Sequence, residues 1–214
     1  LTVGGGIFGL PGVRSTEGQF PAWLPVDNRL IADEYFRPSY TTGIWALGEV
    51  VDRLSYTVML GNNLSQLGVD AGQLDNGLNT VSAALVWLPS TGEFGIRSSF
   101  GDFEDHQKLA TRFAAHYTYS LENYQGQPNT DNFENVQIRL SNGGIIFAPD
   151  IFGAGIWVQD ARYQMTSVDA GLKYHGFSLD AAYYGRWIDD FQGPGTDGLS
   201  SLRDDGFQVL ASAM

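Results

Sequence analysis

Between Leu109 and Ser120 the chain alternates with period two. Leu109, Thr111, Phe113, Ala115, Tyr117 and Tyr119 fall on one side; Ala110, Arg112, Ala114, His116, Thr118 and Ser120 fall on the other. Successive side chains of a strand point to opposite faces, so this segment is a ribbon with an oily face and a wet one. The pattern returns at Thr166–Tyr174, where Thr166, Val168, Ala170, Leu172 and Tyr174 alternate with Ser167, Asp169, Gly171 and Lys173. His175-Gly176 then offers a two-residue turn, with glycine free to take positive φ. In Phe177–Trp187, Phe177, Leu179, Ala181, Tyr183 and Trp187 share one face, opposite Ser178, Asp180, Ala182, Tyr184 and Arg186. Apolar residues seldom recur at helical spacing, which predicts an all-β chain.

Weaker strands are expected at Thr2–Phe8, Thr41–Val50, Leu54–Leu60, Val81–Leu88, Phe94–Phe100, Asn135–Leu140, Ile145–Phe147 and Phe207–Ala213, about ten strands in all. Pro89–Gly92 reads as a short turn, and Asp102–Lys108, Asn123–Glu134 and Asp189–Asp205 as longer polar connections. Ser15–Pro38 is irregular, and Leu64–Leu78 has room for a short helix. No linker divides residues 1–214, which are expected to form one domain.

Composition narrows the architecture. A formal charge of −12 disfavours wrapping nucleic acid, which rewards basic stripes. The absence of cysteine excludes disulfide scaffolds, thiol catalysis and Cys-ligated zinc. Charged residues are only 17%, while 13 Phe, 10 Tyr, 5 Trp and 27 Gly are present. No stretch offers the ~18 apolar residues of a spanning helix. Two architectures remain: an antiparallel transmembrane β-barrel, whose strands need only ~9–11 alternating residues, and a soluble β-sandwich. Three features favour the barrel. Aromatics such as Trp87, Phe94, Tyr117, Tyr119, Tyr174, Phe177 and Trp187 lie near strand ends, as interfacial girdles do. Charged residues occupy mid-strand positions on the polar faces. Gly and Ala fill positions where a sandwich core would use bulk.

The segment Asp27–Asn63 reads DNRLIADEYFRPSYTTGIWALGEVVDRLSYTVMLGNN. It resembles the bacterial outer-membrane porins of the phosphate-selective porin O and P family, through the pieces Val3–Pro11, Arg29–Phe36, Arg37-Pro38, Gly43–Gly48 and Leu54–Asn63, and through Gly206–Leu210. The resemblance implies a sixteen-strand antiparallel barrel in the bacterial outer membrane, a homotrimer contacting membrane lipid and lipopolysaccharide. It would pass small hydrophilic solutes or ions by diffusion, with no cofactor and no enzymatic chemistry. About ten strands are too few for sixteen, and the chain ends at Met214 rather than an aromatic residue, so a fragment missing strands at one or both ends is expected; the start without Met fits either a removed signal peptide or a longer parent chain. Phosphate selectivity is not carried over, since Lys108 and Lys173 are the only lysines.

On this reading the pore-lining residues are Arg112, His116, Asp169, Lys173, Asp180, Arg186 and Arg139, with Arg97 a further candidate. Both signs of charge are present, so selectivity would be weak. Catalytic and metal-binding residues are not expected. Asp102, Glu104, Asp105 and His106 read as a solvated acidic loop, lacking a full calcium-ligand spacing, and Asp189-Asp190 and Asp204-Asp205 likewise. His116 reads as a strand-face residue and His175 as a turn residue. Two other functions stay open: a soluble or secreted β-sandwich that binds or cleaves carbohydrate, and a barrel with a plugged lumen serving a receptor or adhesion role. The sandwich would seal Phe113, Tyr117, Leu179 and Tyr183 in a dry interior; the barrel would turn them outward.

Overall fold

The computed structural model describes residues 1–17, 31–36, 38–74, 77–96, 99–127 and 138–214. The expectations placed on Arg29, Arg37, Arg97 and residues 135–137 lie outside them. Eight strands follow one another: β1 (Thr2–Gly9), β2 (Tyr40–Val51), β3 (Leu54–Gly61), β4 (Thr80–Trp87), β5 (Ala110–Asn123), β6 (Asp160–Tyr174), β7 (Phe177–Gln192) and β8 (Leu202–Ala213). Each pairs antiparallel with the next, giving one sheet in sequence order. Within the described residues β1 and β8 remain edges, so the sheet is an open meander. Among the described residues no helix is long and apolar enough to cross a membrane. The all-β, antiparallel expectation is met.

The turns account for the register. His175 and Gly176 both take positive φ, 48° and 73°, as a tight hairpin matched to strand twist requires. They set Tyr174 opposite Phe177, and the pairing then runs unbroken to Arg162 opposite Asp189. Arg53, at φ 65°, closes the equally tight β2–β3 hairpin. These two turns lie at one end of the sheet with connection 88–109. β1 and β2, β3 and β4, β5 and β6, and β7 and β8 are joined through longer connections that leave from the other end.

Among the described residues eight strands stand where about ten were expected. Phe94–Phe100 is not a strand: Gly95 takes φ 81°, which breaks the extended chain, and Phe94 and Phe100 are buried as parts of connection 88–109. Pro89–Gly92 therefore begins a long connection instead of joining two strands. Ile145–Phe147 and the described end of Asn135–Leu140 contribute a single isolated bridge, Arg139 to Ile145. The turn Leu140–Gly144 folds them together too tightly for a ladder, with Leu140 N–H donating to Gly144 O at 2.7 Å. The helical expectation for Leu64–Leu78 reduces to one 3₁₀ turn, Ala71–Gln73.

The two faces of the sheet are unlike. Phe113, Tyr117, Leu179 and Tyr183 are 36–45% exposed, and apolar neighbours such as Leu85 and Val168 are about half exposed. The opposite face is covered by the protein's own connections and carries most of the charge: Arg112, Lys173 and Arg186 are each 0% exposed. Towards the long-loop end this covered face turns apolar. There Met59, Tyr163, Met165, Tyr184 and Ile188 from the strands pack with Leu10, Val13, Phe36, Ile146, Phe147 and Val158 from the connections.

Candidate functional site: the covered charged face

Strand parity gathers the charges. Arg112 and His116 are four residues apart on β5, as are Asp169 and Lys173 on β6, so each pair shares a face. Register places Asp169 opposite Ala114, Asp180 opposite Gly171, and Arg186 opposite Met165. Six of the seven residues expected to line a pore therefore meet on one face. Each of the six is nearly closed off from solvent.

Their partners explain how charge is tolerated there. A buried ion needs a counter-charge and hydrogen bonds for its remaining atoms. Arg112 pairs with Asp169 Oδ1, and His116 Nε2 lies 2.9 Å from Asp169 Oδ2. His116 Nδ1 is 3.1 Å from the Pro11 carbonyl, so both ring nitrogens face acceptors. Lys173 Nζ donates to Phe94 O at 2.9 Å and to Ser99 Oγ at 3.2 Å. Asp180 pairs with Arg14. Arg186 donates to Asp204 Oδ2 at 2.7 Å, to Tyr35 O at 2.8 Å and to Arg139 O at 2.7 Å, and its guanidinium lies 4.1 Å from the Tyr35 ring centre.

Arg139 stands apart from the other six. Its guanidinium donates to Gly143 O at 3.0 Å in the turn beside the isolated bridge, and only its backbone carbonyl reaches Arg186.

Arg14, Glu122 and Asp204 complete the face. Glu122 extends the even-numbered face of β5 past Ser120, so continued parity was its signal. It accepts from Leu64 N–H at 2.9 Å and from Gln127 Nε2 at 3.1 Å. Asp204 follows in the same way from the alternation of β8. Arg14 had no signal, because it lies in a connection whose path is set only by tertiary contacts.

The expected solvated acidic loop is in part a buried clamp. Asp102 is 1% exposed and accepts from His106 N–H at 3.0 Å and from Gly176 N–H at 2.9 Å, tying connection 88–109 to the β6–β7 turn. The His106 ring lies between Asp102 and Glu93, with Nε2 3.0 Å from Glu93 Oε2. Burial of His106 opposes its charge, but hydrogen bonds to Asp102 and Glu93 outweigh this and raise its pKa above 6.5. Burial likewise opposes the charges of Asp102 and Glu93. For Asp102, bonds from His106 and Gly176 prevail and lower the pKa; for Glu93, bonds from Gly95 and His106 do so. Asp102, Glu104 and His106 bring ligand-type atoms within 4.8 Å of one another. Asp102 is already committed to His106 and Gly176, and Glu104 accepts from Ile96 N–H at 3.0 Å. These contacts make the cluster a loop staple.

No family model matches the chain. No curated protein and no solved structure matches it either.

Proposed function

We propose that this sheet is the wall of an outer-membrane β-barrel of the porin type, facing lipid with its apolar side and a polar lumen with its charged side. One observation carries the reading. Large apolar side chains such as Phe113, Val168, Tyr183 and Phe207 are exposed, while Arg112, Lys173, Asp180 and Arg186 are buried on the opposite face. A water-soluble domain has the reverse preference, keeping charge outside and large apolar groups inside. An apolar outer band around a polar interior is the arrangement that hydrocarbon surroundings favour. The exposure of Phe113, Tyr117, Leu179 and Tyr183 argues against the carbohydrate-active sandwich, whose core they would have formed.

The arc belongs to a barrel wider than eight strands. An eight-stranded barrel has an interior just wide enough for side chains. Here main-chain segments lie on the inner face: Pro11 and Gly12 touch His116 and Ser167 through their carbonyls, and Phe94 O reaches Lys173. Backbone groups in hydrocarbon must be paired, so the β1 and β8 edges call for further antiparallel strands. The family resemblance, with its trimer and its lipopolysaccharide contacts, fits this reading. Transport would involve no bond chemistry: a water column spares hydrophilic solutes transfer into hydrocarbon, and wall charges bias their passage.

The alternative of a plugged receptor barrel has support of its own, since the six charged wall residues are covered by connections rather than open to a channel. Reconstitution of the chain together with the strands that complete its barrel separates the two. Vesicle flotation is expected to show stable membrane insertion in either case. Planar bilayers are expected to show steady ohmic steps for a pore and silence for a receptor. Failure to float with vesicles would end both readings.

A further inference from the structure

Segment Leu10–Glu17 runs across the charged face rather than along the sheet edge. It includes the single helical turn α1 (Arg14–Glu17). Three polar contacts fasten it to three neighbouring strands. Pro11 O meets His116 on β5 at 3.1 Å, Gly12 O accepts from Ser167 Oγ on β6 at 3.1 Å, and the Arg14 guanidinium meets Asp180 on β7. At Gly12 the backbone lies flat on the wall: a Cβ there would collide with Thr118 Oγ1 and come within 2.7 Å of Pro38 Cγ. Arg14 also ties the segment to the connection arriving from the other end. Its Nη2 donates to Ser99 O at 3.3 Å, and its guanidinium lies 4.3 Å and 5.2 Å from the Phe100 and Phe94 ring centres.

Resting on the porin reading above, we propose that Arg14 is the latch of an internal gate: its contacts with Asp180, Phe94, Phe100 and Ser99 join segment 10–17 to connection 88–109 and hold the solute path along the charged wall in a narrow, weakly conducting state.

Two features suit a latch rather than a permanent core. The fastening is polar, and every wall group it covers (His116, Ser167, Asp180) is one that water can solvate in its place. The carboxylate is also only half satisfied: Asp180 Oδ2 is buried without a hydrogen-bond partner, while Oδ1 takes Arg14. A buried acceptor without a partner is costly, so removing Arg14 drives water towards Asp180. Leu10 and Val13, buried in the apolar cluster, hold the start of the segment in place. The charged contact lies beyond that anchor.

The test uses the barrel completed with its remaining strands and reconstituted in planar bilayers. Arg14→Glu, which sets like charges together, is expected to raise mean conductance several-fold. The reversed pair Arg14→Asp with Asp180→Arg is expected to return it to the parental level. A second readout is solvent access to the wall. The chain has no cysteine, so Ser99→Cys introduces a single buried thiol beside Arg14 and against Lys173 of the wall. A water-soluble thiol reagent is expected to label it at least tenfold faster when Arg14→Glu is also present. Parental conductance in Arg14→Glu with unchanged labelling would overturn the latch and leave the pore. Failure of the reversed pair to restore the weakly conducting state would also overturn it, since unfolding and not the contact would then explain the single variant. Silence in every variant, with the parent floating on vesicles, would overturn the pore reading itself.

Discussion

Arg112 and Asp169 meet diagonally across β5 and β6: Asp169 stands opposite Ala114 and Arg112 opposite Gly171, with both side chains closed off from solvent. The small residues at the two facing positions leave room for the long Arg112 side chain to reach across. Asp169 holds a second side chain as well: His116 Nε2 lies 2.9 Å from its other carboxylate oxygen.

Removing Asp169 should therefore be costly. Asp169→Ala removes the buried carboxylate that Arg112 and His116 share, and a loss of about 3 kcal/mol is expected. Arg112→Met combined with Asp169→Ala should cost less than the sum of the two single changes. Urea unfolding of the four proteins in lipid vesicles gives the cycle. Strict additivity would show that the two residues are not coupled.

Val168, mid-strand on β6 and half exposed, distinguishes a lipid-facing surface from a water-facing one. Val168→Arg should cost about 2–4 kcal/mol if hydrocarbon surrounds it. On a water-exposed surface the change should stay within about 0.5 kcal/mol. Unfolding free energies in vesicles decide between the two.

The His106 clamp should be pH-dependent in both directions. The raised pKa of His106 means that its stabilisation is fully present below 6.5 and fades as pH climbs through the higher folded value. The lowered pKa values of Asp102 and Glu93 mean that theirs is present above 3.8 and 4.5 and fades as pH falls. The stability advantage of the parent over His106→Gln should be greatest between these limits and shrink as pH rises above 6.5 through the raised value. A constant difference from pH 5 to pH 9 would show that the ring does not act as a cation there.

Amide exchange should report the open edges. In this 214-residue chain β1 and β8 are expected to exchange fastest among the strands, and β6, hydrogen-bonded to long neighbours on both sides, slowest. Equal protection of β1 and β6 would mean that the edge is paired with a strand from elsewhere.

The hairpin Asp160–Gln192 shows why parts of this fold were legible. Its alternation, its His-Gly turn and its face assignments are local: each follows from the two-residue period and from the positive φ that a tight hairpin demands. The same parity named Arg112, His116, Asp169, Lys173, Asp180 and Arg186 as one set. Phe94–Phe100 shows where locality fails. Its apolar residues suit a strand, yet glycine at positive φ breaks it, and Phe94 and Phe100 pack on Arg14 some 80 residues away in sequence. Nothing near Arg14 announces that contact.

Period-two patterning alone thus determined that the chain makes antiparallel ribbons with one oily and one charged side, because side-chain direction in a strand is a property of the backbone. Only the tertiary structure decided that the oily side stays uncovered, that the charged side is closed by the chain's own connections, and that Arg14 and Asp180 meet. Those outcomes depend on where long connections come to rest, and that is set by packing and charge pairing between residues far apart in sequence.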